Sequence, residues 1–320
     1  MNRLFSCLFL IPSLINAQKV INVEYPSEGN IVLSKKVTFS KIKSGYTLWL
    51  PKENSKGVVV FFDENRDTVN KLPIIDLAFK DQLAVLFVTT NNQVEFLFEK
   101  SKMKELEGYI NEAIKKNNIP KDNMLYCGMS LAGTRALKMA AFSQTKESVF
   151  NLIPKAIAIC DAPLDMVRNY NECKKASELN LNPIGASESE WIVSYLKSNL
   201  NGTPTKALNN YINYSPFCYT AENGGNAKAF KNIYLRCYTE PDVNWWIEKR
   251  GRDYYGMNAV DLAALVNQLK ILGSKKAELI TTTGKGFRED GNRHPHSWSI
   301  VDEKELIEWF TGLPVDKKMP

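Results

Sequence analysis

The sequence predicts an α/β protein: a mostly parallel central sheet with helices on both faces and an inserted lid-like region. Three observations carry that reading. Short β-rich runs alternate with helical runs along most of the chain, as expected of a parallel sheet covered on both sides. Two runs, Val58 to Phe62 and Leu83 to Val88, are continuous and apolar, the pattern of strands buried on both faces. The helical runs repeat apolar residues at three-to-four spacing with polar residues between them.

The elements follow in order. Val20 to Tyr25, Ile31 to Phe39 and Tyr46 to Leu50 read as opening antiparallel strands, and Asn54 to Gly57 as the turn into the first buried strand. Met103, Leu106, Tyr109, Ile110, Ala113 and Ile114 define a helix that Pro120 closes off. Further strands are expected at Met124 to Cys127, Ala156 to Cys160, Ile233 to Tyr238 and Ala277 to Thr282. Leu262, Leu265, Val266, Leu269 and Leu272 mark another helix, with Gly273 as its C-terminal cap. Asp302 and Glu305 resemble a capping box that opens a last helix through Leu306, Ile307, Trp309 and Phe310. Residues 165 to 230 interrupt the alternation. They are rich in Asn, Ser and Tyr, with helical hints only around Glu190 to Leu200, and read as a lid or cap insertion.

Composition sets outer bounds. The 320 residues are 44% hydrophobic and 24% charged, a globular balance that fits one large α/β unit. The formal net charge of +6 is spread along the chain without a basic stripe, which gives no case for nucleic acid. The longest apolar stretch is N-terminal: Arg3, then Leu4 to Leu14, then Asn16-Ala17 before Gln18. That order of charge, apolar core and small residues is expected of a secretion signal over residues 1–17, leaving 18–320 as a single domain that is secreted or periplasmic. No other run is long enough to span a bilayer. Without Cys7 the chain keeps five cysteines. Cys127, Cys160 and Cys237 fall in apolar strand runs, and Cys173 with Cys218 is the one pair worth testing as a disulfide.

The most informative segment runs from Met124 through Cys127-Gly128-Met129-Ser130-Leu131-Ala132-Gly133 and on to Phe142. An apolar strand enters a Gly-x-Ser-x-Ala-Gly turn and leaves directly as a helix. A serine hydroxyl is a poor nucleophile unless it is held clear of its neighbours and beside a base. A tight strand-to-helix turn supplies that exposure, and small residues around the serine relieve its crowding. No lysine follows at the spacing a nucleotide-binding loop needs. The segment resembles the nucleophile elbow of the α/β-hydrolase superfamily, in its serine-esterase and prolyl-oligopeptidase-like branch, with Ala132 where glycine is usual.

That resemblance covers about residues 46 to 312 and implies a triad in the order serine, acid, histidine. The only two histidines, His294 and His296, lie between the last strand and the last helix. His296 is preferred as the base, because the run to Trp298 and Asp302 resembles the histidine loop of many esterases. His-x-His alone offers too few ligands for zinc. The acid is expected just past the strand ending at Tyr238, where Asp242 matches the family spacing better and Glu240 is the rival. Asp161, at the end of the preceding strand, is a third option. The implied oxyanion donors are the amide of Leu131 and one from the turn Asp63-Glu64-Asn65, at Glu64. That acidic turn departs from the His-Gly common in the family. It also fails as a calcium loop at Thr68 and Ile74. Trp245 and Trp246 could form an aromatic platform or simply pack.

The resemblance thus implies a serine hydrolase that needs no metal or organic cofactor and acts on a small-molecule ester or peptide. Carboxylester hydrolysis comes first, a prolyl-oligopeptidase type of peptidase second, and a non-catalytic binding protein on a hydrolase scaffold is the rival from another class.

Overall fold

The computed structural model describes residues 19–26, 32–34, 37–38, 44–63, 72–91, 96 and 99–314. The expected signal segment 1–17 and the oxyanion candidate Glu64 lie outside the described residues. In chain order the elements are β1 (Lys19–Tyr25), β2 (Val32–Ser34), β3 (Val37–Thr38), β4 (Ser44–Leu50), β5 (Gly57–Phe61), α1 (Pro73–Lys80), β6 (Leu83–Thr89), α2 (Lys100–Lys116) and β7 (Met124–Met129). Then come α3 (Leu131–Phe142), β8 (Ala156–Cys160), α4 (Met166–Leu179), α5 (Pro183–Asn199), α6 (Pro204–Tyr214), β9 (Tyr234–Thr239), α7 (Val243–Arg250), α8 (Ala259–Ile271), β10 (Ala277–Thr281) and α9 (Glu303–Gly312).

Eight strands form one sheet in the order β1-β4-β6-β5-β7-β8-β9-β10. From β6 to β10 every pairing is parallel, while β4 joins β6, and β1 joins β4, antiparallel. The apolar strands split their side chains between two layers, because successive residues of a strand point to opposite faces. Val58, Val60, Tyr126, Ile157 and Ile159 join one core with Leu106 and Ile110 of α2, Ala136 of α3 and Leu265 of α8. Val59, Phe61, Leu125, Cys127 and Ala158 join the other, with Ile74 and Ile75 of α1 and Leu306 and Phe310 of α9. This is the mostly parallel sheet with helices on both faces that the alternation predicts.

Caps appear where the residue types call for them. Asp302 accepts a hydrogen bond from the Glu305 amide at 3.1 Å and opens α9. Gly273, at φ +86°, turns the chain out of α8 in the left-handed conformation that favours glycine.

Residues 165 to 230 hold more structure than their sequence suggests. They form α4, α5 and α6, which share a small apolar cluster of Met166, Tyr170, Leu196, Leu200, Tyr211 and Tyr214. The apolar repeat of α4 is thin, and polar contacts hold the helix instead. Asp165 caps it through the amides of Val167 and Arg168, and Arg168 reaches across to Asp261 of α8 at 2.5 Å. The expected pairing of Cys173 with Cys218 is not made. Both are buried free thiols: Cys218 faces Thr220 and Asp165, and Cys173 faces Asn169.

Candidate active site

The site lies at the carboxyl ends of β7 and β8, where two strand-to-helix or strand-to-loop turns come together. Ser130 immediately follows β7 and precedes α3, with φ 54° and ψ −127°. A non-glycine residue in that conformation carries strain of about 1–3 kcal/mol, so the surrounding packing must impose it. The packing is visible at two glycines. A Cβ on Gly128 would stand 2.3 Å from the backbone of Ala132. One on Gly133 would stand 2.8 Å from the Ala162 Cβ, against the neighbouring strand. The second close approach thus falls on Gly133, and Ala132 is accommodated where related turns carry glycine. The Ser130 amide donates to the Cys160 carbonyl at 2.8 Å, which ties the turn to the end of β8.

The next residue on β8 is Asp161. Its amide donates to the Tyr238 carbonyl at 2.9 Å, and its backbone takes a left-handed φ of 43°. Its carboxylate is buried: Oδ1 accepts from the Thr239 hydroxyl at 3.2 Å, and Oδ2 lies 2.6 Å from His296 Nδ1. A carboxylate accepts, so Nδ1 carries a hydrogen in this contact. The histidine loop is pinned at the same point, since the Cys160 thiol faces the Ser297 carbonyl at 3.5 Å. Ser130 and Asp161 therefore follow two adjacent strands, and Asp161 holds His296 at the end of β8.

Neither carboxylate preferred from the sequence meets His296; the third option, Asp161, does. Asp242 caps α7 by accepting from the Trp245 amide at 3.1 Å, and its other oxygen takes Arg293 at 2.8 Å. Glu240 is fully engaged: it accepts from the Thr282 hydroxyl, the amides of Lys285 and Gly286, and Arg293. Its role is to fasten the loop that carries the histidines. Arg293, three residues before His296, consumes both acids, and that leaves Asp161 for the imidazole.

Of the expected oxyanion donors, Leu131 is the first residue of α3, so its amide has no acceptor within the helix. The helix also directs the positive end of its dipole at the turn. The side chain of Leu131 packs against the apolar cluster of α4 to α6, which seats these helices beside the residue after the serine. Phe62, just past β5, accepts from Arg135 at its carbonyl at 3.1 Å.

His294 is placed differently from His296. It is 7% exposed, and its Nε2 faces an Arg250 nitrogen at 3.2 Å. Burial, followed by the charges of Arg288, His296 and Arg250, pushes it down to about 4. Trp245 packs on its ring at 4.7 Å and Trp246 lies 6.1 Å away, so this aromatic pair adjoins the histidine loop.

No protein-family model matches the sequence, and comparison with curated proteins gives no match. Solved structures do match in three dimensions. An acylaminoacyl peptidase from Pyrococcus horikoshii is 13% identical, with a TM-score of 0.53, over 99% of this chain and 46% of that chain. Carboxyl esterase 2 from Tuber melanosporum is 15% identical, with a TM-score of 0.52, over 93% of this chain and 85% of that one. An esterase from Pyrobaculum calidifontis is 12% identical, with a TM-score of 0.51, over 93% and 84%. The chain spans less than half the length of the peptidase chains it matches. At these identities the likeness is one of fold.

Proposed function

We propose that this chain, which has the α/β-hydrolase fold, is a serine hydrolase acting on carboxylic esters, with Ser130 as nucleophile, His296 as general base and Asp161 as the acid. The observation that carries the reading is the placement of a conformationally strained serine and a carboxylate-bound histidine at adjoining strand ends. In the proposed cycle His296 Nε2 takes the Ser130 proton as Oγ bonds to the ester carbonyl carbon. The carbonyl oxygen becomes an oxyanion that the Leu131 amide stabilises. Collapse breaks the bond to the alcohol, which leaves with the proton from His296, and the acyl group stays on Ser130. Water then repeats the sequence and releases the acid. Asp161 holds the imidazole in the tautomer this needs and stabilises its charged form.

The ester reading is favoured over a peptidase because the chain matches most of the length of the esterases and under half of the peptidase. The inserted helices α4 to α6 serve in this reading as the lid over the acyl site, since their cluster rests on Leu131. Export after removal of residues 1–17 completes the proposal. The test is labelling by a fluorophosphonate probe. The wild type should label at Ser130 and hydrolyse short-chain 4-nitrophenyl esters. Ser130→Ala should stay folded and lose both activities, and labelling that survives this change would move the nucleophile elsewhere.

A further inference from the structure

Beside the proposed base lies a group of cations with no carboxylate at ion-pair distance among the described residues, although Glu188, Glu172 and Asp290 act on them from farther off. Three enclosed arginines elsewhere are paired with carboxylates: Arg168 with Asp261, Arg236 with Glu278 and Glu305, and Arg293 with Glu240 and Asp242. Arg250, Arg252 and Arg288 have no carboxylate at ion-pair distance among the described residues. Arg250 ends α7, where a cation commonly serves the helix dipole. Lys249 occupies the same last turn, however, and the terminal carbonyls of Ile247 and Trp246 are taken by the amides of Gly251 and Arg252. The Arg250 guanidinium instead turns sideways onto His294 Nε2 and stands 5.8 Å from the Trp245 ring centroid.

A guanidinium only donates, so His294 accepts at Nε2 and is neutral, with its hydrogen on Nδ1. That nitrogen is buried, and among the described residues no group meets it at full hydrogen-bond geometry, although the His296 backbone acts on the ring. Burial, followed by the charges of Arg288 and Arg252, depresses the affinity of Arg250 for its proton. Glu188 opposes this from beyond ion-pair distance, and a bound anion would offset more of the cost of the half-buried charge. The His294 ring lies 6.3 Å from that of His296, so the cationic group borders the site of proton transfer.

We infer that Arg250, supported by Arg288 and Arg252, binds a carboxylate carried by the ester substrate, with the Trp245 face lying along the apolar part between carboxylate and ester. This rests on the serine-hydrolase reading above. Arg250 keeps N–H groups beyond the one given to His294, enough for the two parallel bonds by which arginine grips a carboxylate.

The test compares matched substrates that differ in one charge. Mono-4-nitrophenyl glutarate is set against 4-nitrophenyl valerate, with the charge on the acyl side. The acetyl ester of 4-hydroxybenzoate is set against that of its methyl ester, with the charge on the alcohol side. In one pair the anionic ester should have a kcat/KM at least tenfold higher at low salt, and the advantage should shrink as sodium chloride screens it. Arg250→Gln should reduce the anionic-to-neutral ratio at least tenfold, and Arg250→Lys should keep part of it. Arg288→Ala, at an exposed position, should reduce it severalfold and carries the test if Arg250→Gln does not fold. Each preparation is first labelled with fluorophosphonate. A protein that labels but treats both members of both pairs alike overturns the anion site alone. The same holds for Arg250→Gln lowering both members equally. A wild type that does not label overturns the hydrolase reading and this inference together.

Discussion

Asp161 reaches His296 from a left-handed backbone conformation, with its second oxygen held by Thr239, and so presents a fixed acceptor to Nδ1. If this carboxylate fixes the tautomer, Asp161→Asn should lower kcat by about three to four orders of magnitude with the fold intact. Asp242→Asn should change kcat only a few-fold, since asparagine still caps α7. Glu240→Gln should act mainly on stability, because it weakens the anchor of the histidine loop. Steady-state rates and urea midpoints of the three variants separate these outcomes, and a crippled Asp242→Asn would return the acid to β9. His294 gives a second residue-scale test. Its folded-state value of about 4 lies below the reference of about 6.5, so between those values the unfolded chain binds a proton that the folded chain excludes. Its contribution is therefore complete above about pH 6.5 and is lost as pH falls toward 4. Urea unfolding at pH 7, 5.5 and 4.5 should show His294→Gln losing less stability than the wild type, by at most about 1.4 kcal/mol per pH unit.

Among the elements, the inserted helices depend on one buried ion pair. Asp261 of α8 binds Arg168 through both oxygens and also accepts the amides of Leu164 and Asp165, so it ties the start of α4 to the sheet layer. Both side chains are nearly inaccessible. Asp261→Asn leaves a buried guanidinium without its counter-charge and should cost about 3–5 kcal/mol in urea unfolding. Partial proteolysis should then cut first between residues 165 and 230. This contact also explains why α4 is hard to see in the sequence. Met166, Tyr170 and Cys173 make a sparse apolar stripe, and the partner that stabilises the helix is far along the chain. The strands, by contrast, are legible because their signal is local: Val58 to Phe62 and Leu83 to Val88 state their own burial.

For the molecule as a whole, the elbow at Ser130 and both histidines are readable because each is a short run with its structure on either side. The carboxylate that meets His296 is not, since two strand ends offer three carboxylates and the choice among them is made at a distance. Arg293 makes it by taking Glu240 and Asp242, and no periodicity reveals which acid an arginine will claim. The cysteines tell a similar story at this scale. All five among the described residues are buried thiols, and burial raises those of Cys127, Cys160 and Cys237, with Cys173 pushed up to about 11. Reductant should therefore leave Tm unchanged, and a thiol reagent should react only slowly until denaturant is added. A Tm that falls with reductant would reveal a bond the fold does not contain.

With nucleophile and proposed acid on neighbouring parallel strands, the helix after β9 is released from any duty in proton transfer. The β7–β8 ladder sets the register of Ser130 and Asp161 and α7 takes no part in it, so the solvent side of residues 243 to 252 can change while Trp245 and Trp246 stay packed on His294. Inheritance can then hold the chemistry constant while the neighbouring helix drifts from one clientele to another. A graft that replaces α7 but keeps Trp245 and Trp246 should redirect selectivity at little expense in turnover, which makes this helix the natural first target for a combinatorial library.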